Sequence, residues 1–456
     1  MSFHRVLVAD RGEIAVRVVR ACQALGIESV VAVSETDKDS LAARLADRSV
    51  CIGPAPASRS YLKQEALLAA ALGTGVDAIH PGYGFLAENP TFAEACESQG
   101  IRFVGPRAET IRTMGNKLTA RETAERYQVP VVPGSPRVDR FEDAETIVGD
   151  IGYPVLLKAA AGGGGRGIRI VHDPSEMRSR FLSATAEAAA AFGNGALYIE
   201  RYIPAARHIE VQVFADRYGQ LLQLGERDCS IQRRYQKIIE EAPAASIPDD
   251  VRGSIRAAAV ALTDAIGYEN AGTVEFIYDE ECKEYYFLEM NTRIQVEHPV
   301  TEEITGLDLV QMQLQVGSGQ GLPLQQEDVR FTGHAIECRV TAESPEKGFR
   351  PSPGRLVTWQ PPEGPGIRLD SHCYEGYRVP PFYDSLLGKL ITHGRDRAEA
   401  LERMRAALRR FGVAGIDTTI GVLTFLTEQP DFQSGRFNTR WAESTLDLFR
   451  SGMAGS

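Results

Sequence analysis

Apolar residues in the first hundred positions alternate between two periods. Val6-Leu7-Val8-Ala9 is a short unbroken apolar run, the mark of a strand buried on both faces. Glu13 to Leu25 then repeats apolar residues at helical spacing until Gly26 closes it. Ser29-Val30-Val31-Ala32-Val33, Ala78-Ile79-His80 and Ile101-Arg102-Phe103-Val104 repeat the strand pattern. Strand–helix alternation with short apolar strands predicts an α/β start built on a doubly wound parallel sheet. Ligands on such sheets gather at the C-terminal ends of the strands. Asp10-Arg11-Gly12-Glu13 and His80-Pro81-Gly82-Tyr83-Gly84-Phe85 both fall there.

The pattern changes at about residue 117. A helix from Lys117 to Arg126 leads through Val129-Pro130-Val131-Val132-Pro133 to the strand Tyr153-Pro154-Val155-Leu156-Leu157-Lys158, which runs into a glycine loop. Ile168 to Val171 and, after a helix, Leu197 to Ile203 are further strands, so this stretch predicts a small α+β lobe whose glycine loop makes it a lid. From about 204 to 450 the chain is mixed α+β. It contains alternating strands (His208 to Phe214, Gln220 to Glu226), a hairpin and a closing helix from Arg397 to Phe411.

Bulk properties narrow the function. At 456 residues the chain exceeds the roughly 250 at which single cores stop growing. A net charge of −11 speaks against a protein that grips nucleic acid, yet leaves room for a local basic pocket that holds a small anion. The first residues lack the long apolar core of a secretory signal, and no stretch approaches the ~18 apolar residues of a membrane span. The seven cysteines, at 22, 51, 96, 229, 282, 338 and 373, are scattered without a C-x-x-C, which argues against a zinc cluster and predicts a reducing, cytoplasmic setting.

Gly162-Gly163-Gly164-Gly165-Arg166-Gly167 satisfies G-x-G-x-x-G only because it is nearly all glycine. A strand follows it where a dinucleotide site needs a helix, and no Walker A pattern occurs. A glycine hairpin can still close over phosphates, because bare N–H groups approach closely where no Cβ intervenes. Lys158, at the end of the incoming strand, adds an ammonium.

Thr273 to Tyr278 and Tyr285 to Asn291 read as two strands of a hairpin. A turn at Cys282 sets Glu275 opposite Glu289, with Cβ atoms about 4.5–5.5 Å apart. Asn291 shares their parity, and two carboxylates with an amide oxygen on one face suit Mg²⁺ when phosphates complete the shell. Arg293, Gln295 and Glu297 extend the same alternation up to His298-Pro299. A stripe of Glu, Asn, Arg, Gln and Glu beside the apolar Tyr285 to Leu288 reads as the wall of an active site.

At this point the sequence resembles the ATP-grasp ligases, through Tyr153 to Lys158 with its glycine loop and through Phe287-Leu288-Glu289-Met290-Asn291-Thr292-Arg293-Ile294. Within them it resembles the biotin carboxylases of the acetyl-CoA or acyl-CoA carboxylase type. The motifs that carry this are Arg11-Gly12-Glu13-Ile14-Ala15, His80 to Leu86, Glu226 to Ser230 with Gln232-Arg233-Arg234, Arg293 to Glu302, Gly333 to Arg339 and Pro351-Ser352-Pro353-Gly354. The likeness runs from about residue 3 to 445. It implies an N-terminal domain over 1–115, an ATP-grasp domain over 116–325 with a lid at about 130–203, and a C-terminal domain over 330–445.

Carried over by position, the resemblance implies that Lys117, Lys158, Gly164, Gly165 and His208 contact ATP phosphates. Glu200, Arg201 and Ile203 line the adenine slot, and Tyr235 lies near the ribose. Glu275, Glu289 and Asn291 hold Mg²⁺ (or Mn²⁺). Lys237, Arg293, Gln295 and Val296 bind bicarbonate, Glu297 is the base that deprotonates it, and Arg339 stabilises the biotin enolate. Bicarbonate is a weak nucleophile, so cations must hold it and a base must strip its proton before it attacks the γ-phosphate.

Asp10 stands where the family usually has asparagine, Ala161 replaces the first glycine of a longer run, and Tyr235 stands where histidine is common. The chain carries no Ala-Met-Lys-Met stretch and no carboxyltransferase domain. Biotin is therefore expected on a separate carrier protein, with a carboxyltransferase subunit choosing the acceptor and a homodimer as the family's frequent assembly. The sequence does not choose among acetyl-CoA, propionyl-CoA, pyruvate and urea-type complexes. Two other readings are another ATP-grasp ligase and a non-catalytic nucleotide-binding subunit. Arg293-x-Gln295-Val296-Glu297 and Arg339 oppose the first, and retention of every metal ligand and the base opposes the second.

Overall fold

In the computed structural model, which describes residues 2–160 and 168–454, three sheets organise the chain. The first is parallel and five-stranded, ordered Arg48–Gly53, Glu28–Ser34, Arg5–Val8, Ala78–His80 and Arg102–Phe103. Its central strands are buried on both faces, as their unbroken apolar runs require. The strand order reverses between Arg5–Val8 and Ala78–His80, and the two expected glycine turns leave the sheet there. Asp10 joins them: its carboxylate accepts the N–H groups of Tyr83 (3.0 Å), Gly84 (2.9 Å) and Arg11 (2.7 Å). Burial pushes that carboxyl up to about 7 against those three donors. Gly82 has φ +65°, and a Cβ there would lie 2.2 Å from Asp10 Oδ2, so the turn fits no larger residue.

The second sheet lies in the stretch expected to form a lid and is a three-stranded antiparallel unit of Ile168–Val171, Val155–Ala159 and Leu197–Arg201. Helices Phe141–Ile151 and Pro174–Phe192 pack on it around Val155, Leu157, Phe181 and Ile199. Ala161, Gly164 and Gly165 lie outside the described residues.

The third sheet carries the chemistry. It is antiparallel and eight-stranded, ordered Glu284–Asn291, Asn270–Asp279, Ala206–Ala215, Leu221–Arg233, Gln236–Ala242, His334–Thr341, Leu386–Gly394 and Ile367–Ser371. One sheet thus continues from the hairpin strands into the C-terminal part through the pairing of Glu240 with Glu337 and its neighbours. Helices Arg397–Arg410 and Ile420–Glu428 cover its far end, and Trp441–Ala454 packs on Ile420–Glu428 and on the strand Leu221–Arg233; the last two helices were not anticipated from the sequence.

Glu241 anchors the strand Gln236–Ala242 to that C-terminal layer. Arg397 reaches it at 2.6 and 3.1 Å, and the His334 ring lies at 2.7 Å. Burial alone would raise this carboxyl, but Arg397 and His334 hold it at about 2. A depressed carboxyl contributes its stabilisation above the unfolded value and loses it as pH falls towards the folded one. Glu241→Gln is therefore expected to lower the urea midpoint at neutral pH, with the gap to wild type closing as pH falls from 4.5 towards about 2. A gap independent of pH would contradict this assignment.

Candidate active site

Glu275 lies opposite Glu289, as expected, by a route the sequence does not display. Near the turn, Asp279 pairs with Glu284 and Phe276 with Phe287; the register then shifts by one, so that Glu275 meets Glu289 and Thr273 meets Asn291. Leu288 is the extra residue of this β-bulge. Without the bulge Glu289 would share the face of Phe287, which packs with Phe276, Val274 and Met290 in the core. With it, Glu275, Glu289 and Asn291 share the other face.

The strand ends at Asn291, so Arg293 to Glu297 does not continue it as expected. Residues 292–297 form an irregular segment that enters the helix His298–Thr305. The wall is nonetheless assembled, because this segment folds back over the sheet. Gln295 Nε2 donates to Glu275 Oε1 at 2.7 Å, and Glu297 is buried against Lys237. Arg293 turns instead to Glu88 (3.1 Å) and to Asn291 Oδ1 (3.1 Å).

Lys237 is the hub. Its Nζ lies 2.5 Å from Glu210, 2.9 Å from Glu275 and 2.5 Å from Glu297. Burial would deprotonate this amine, but the three carboxylates hold it well above the ordinary lysine range. In return burial's upward push on Glu297 is overcome by Lys237, Arg339 and Arg227, which hold the carboxyl well below its usual range. Glu275 is likewise depressed against its burial by Lys237 and by His208, whose Nε2 lies 3.0 Å away.

Arg339 bridges the second oxygen of Glu297 (2.8 Å) to Glu240 (2.5 Å). Glu240 is pushed up to about 7 by burial, against the pull of Arg339. Arg227, fully buried, holds Glu210 at 2.5 Å and also donates to Gln212, Thr301, Thr273 and Gln295. Lys389 donates to the Val296 carbonyl at 2.8 Å.

Of the expected nucleotide residues, His208 belongs to the Lys237 cluster. Lys117 Nζ lies 3.2 Å from Glu289. Lys158 is bonded to Glu200, which also receives Arg121 at 3.4 Å. Arg201 donates to the Tyr286 hydroxyl at 2.6 Å, and Ile203 is buried with Val132, Ala206 and Tyr286. Tyr235 sits at φ +64° on the tight turn between Leu221–Arg233 and Gln236–Ala242, 57% exposed, so it stands at the rim rather than inside.

The donors fit a hard divalent cation: two opposed carboxylates and an amide oxygen on one face, with His208 and Glu210 bringing further ligand atoms within 4.8 Å of those of Glu275. The sequence reading missed Glu210, Gln212, Arg227, Glu240 and Lys389. The signal for the first two was present, since His208, Glu210 and Gln212 alternate with Ile209, Val211 and Val213 on a strand buried at every position.

The chain matches the biotin carboxylase N-terminal domain over residues 2–111, the carbamoyl-phosphate synthase L chain ATP-binding domain over 116–325, and the biotin carboxylase C-terminal domain over 337–444. It is 52% identical over 448 residues to biotin carboxylase 1 of Bacillus subtilis, covering 98% of this chain and 99% of that one. The chain belongs to the biotin carboxylase family. Its members are ATP-dependent ligases, and this chain has their fold. The Campylobacter jejuni biotin carboxylase, crystallised as a beta-gamma-ATP complex, superposes with TM-score 0.94 at 45% identity, covering 97% of this chain and 99% of that one. A Hydrogenobacter thermophilus 2-oxoglutarate carboxylase biotin carboxylase domain, a dimer with MgADP, ADP and bicarbonate, gives TM-score 0.94 at 46% identity over 98% and 99%.

Removing Lys237 would strand Glu210, Glu275 and Glu297 together. Lys237→Met is expected to cost about 3–5 kcal/mol of unfolding free energy at neutral pH by urea titration, and less in Lys237→Met/Glu297→Gln. Equal losses in the two variants would contradict the hub.

Proposed function

We propose that this chain carboxylates biotin, presented on a biotin carboxyl carrier protein, using ATP and bicarbonate. The observation that carries the reading is the pair of cations on one buried base: Lys237 on one oxygen of Glu297 and Arg339 on the other, next to the Glu275–Glu289 face.

Glu275, Glu289 and Asn291 would hold Mg²⁺ (or Mn²⁺), which when bound neutralises phosphate charge and orients the β- and γ-oxygens. Lys117, Lys158, His208, Gly164 and Gly165 bind the phosphates; Glu200, Arg201 and Ile203 bind the adenine, and Tyr235 lies near the ribose. Lys237, Arg293, Gln295 and Val296 hold bicarbonate. While both cations face Glu297 it is a weak base. Bicarbonate and the phosphates compete for Lys237 and Arg339, and the proton affinity of Glu297 rises as they withdraw. Glu297 then takes the bicarbonate proton and the freed oxygen attacks the γ-phosphorus; the bond to ADP breaks and carboxyphosphate forms. This splits to CO₂ and phosphate, and the phosphate accepts the proton of the ureido nitrogen that attacks CO₂. Arg339 stays charged at any working pH and faces the ureido oxygen as it becomes anionic. The lid over 130–203 excludes water from the labile intermediate.

The division into 1–115, 116–325 and 330–445 is part of this reading. So are a homodimer, supported by the dimeric Hydrogenobacter domain, and a carboxyltransferase subunit that passes the carboxyl to an acceptor. The acceptor, an acyl-CoA in fatty acid synthesis on this reading, is chosen by that subunit. Among the described residues no helix is long and apolar enough to cross a membrane, and the cysteines are free, which supports a cytoplasmic setting.

Glu297→Gln is expected to lower bicarbonate-dependent, biotin-stimulated ADP release by about 10²–10⁴-fold with MgADP affinity unchanged. ADP release that responds to an amine or another carboxylate, and not to biotin, would instead point to a different ATP-grasp ligase.

A further inference from the structure

Lys389 lies in the middle of the strand Leu386–Gly394, fully buried, opposite Arg339 on one neighbouring strand and Asp370 on the other. Two cations opposite each other in a sheet repel, and an uncompensated buried ammonium is costly. An apolar residue would match Ile391, which shares its face of the strand. Arg339 turns to Glu240 and Glu297, and Lys389 turns the other way. Its Nζ donates to the Val296 carbonyl at 2.8 Å and pairs with Glu13 at 3.0 Å, with Asp370 at 4.0 Å. Glu13 in turn accepts the Tyr83 hydroxyl at 2.6 Å, from the glycine turn of the parallel sheet. Burial opposes the charge on Lys389, but Glu13, Glu337 and Asp370 keep it protonated.

What this ammonium holds is the base's own backbone. Residues 292–297 lie between the strand end and the helix His298–Thr305 and belong to neither. The Gln295 carbonyl is held by His298 Nδ1 at 2.7 Å, and the next carbonyl, that of Val296, by Lys389. The second of these fixes the plane of the Val296–Glu297 peptide, from which the Glu297 side chain reaches Lys237 and Arg339.

We propose that Lys389 is a positioning residue for the bicarbonate step: it fixes the Val296–Glu297 peptide, and so the base, between the parallel sheet through Glu13 and the C-terminal strands. The proposal rests on Glu297 being the base that deprotonates bicarbonate. The test is ADP release by the full chain as a function of bicarbonate and of MgATP, for wild type, Lys389→Met and Lys389→Met/Glu13→Gln. The double variant removes the carboxylate that the single one strands, so it is expected to recover most of any lost thermal stability. In both variants kcat/KM for bicarbonate is expected to fall about a hundredfold, the cost of displacing a reacting group by about 1 Å, with KM for MgATP within about twofold of wild type. A folded variant with wild-type bicarbonate kinetics would overturn the proposal, as would equal losses for both substrates. A wild type that ignores bicarbonate would overturn the parent reading, and this proposal with it.

Discussion

The ammonium of Lys237 sits against three buried carboxylates, and the sheet around it is arranged to make that tolerable. Each of the three has a second partner: Arg227 on Glu210, His208 on Glu275 and Arg339 on Glu297. Arg227 and Arg339 are in turn fixed by Thr301, Gln295 and Glu240. Taking so many charges out of water is unfavourable for stability, and well-packed apolar residues would serve a fold better. On the proposed function the arrangement makes sense as a site preorganised for a small anion and a triphosphate, whose charges can replace the internal ones without reorganising the frame.

Much of this was legible in the sequence because alternation on a strand maps directly onto a face. Glu275 opposite Glu289 followed from counting, although the turn lies half a residue from the centre assumed and the bulge at Leu288 restores the match. The apolar pairs Phe276–Phe287 and Val274–Met290 explain why the bulge is needed: both sides of the hairpin must present carboxylates to the site and aromatics to the core. Periodicity misled beyond Asn291. The alternation of Arg293, Gln295 and Glu297 looked like strand, whereas Gln295, Val296 and Glu297 are drawn inward by residues far away in sequence, Arg227, Lys389 and Lys237.

The partners of the site were hidden for a related reason. Arg227 and Glu240 belong to strands whose inward faces are polar, and a polar face in isolation reads as solvent-exposed. Only the closure of the parallel sheet, the hairpin and the C-terminal strands around one point makes those faces internal. The continuity of the eight-stranded sheet has the same origin, since the strand bearing Lys237 and Glu240 pairs directly with the strand bearing Arg339.

The central claim is that this buried charge cluster turns bicarbonate into a nucleophile towards ATP. The most direct measurement is the fate of oxygen in a reaction with ¹⁸O-labelled bicarbonate and unlabelled ATP, carried out faster than the label exchanges with water. Attack by bicarbonate oxygen on the γ-phosphorus places one ¹⁸O in each molecule of inorganic phosphate released, because the bridging oxygen stays with phosphorus when CO₂ departs. Phosphate free of ¹⁸O, its one new oxygen having come from water, would mean that ATP is simply hydrolysed, and would contradict the account.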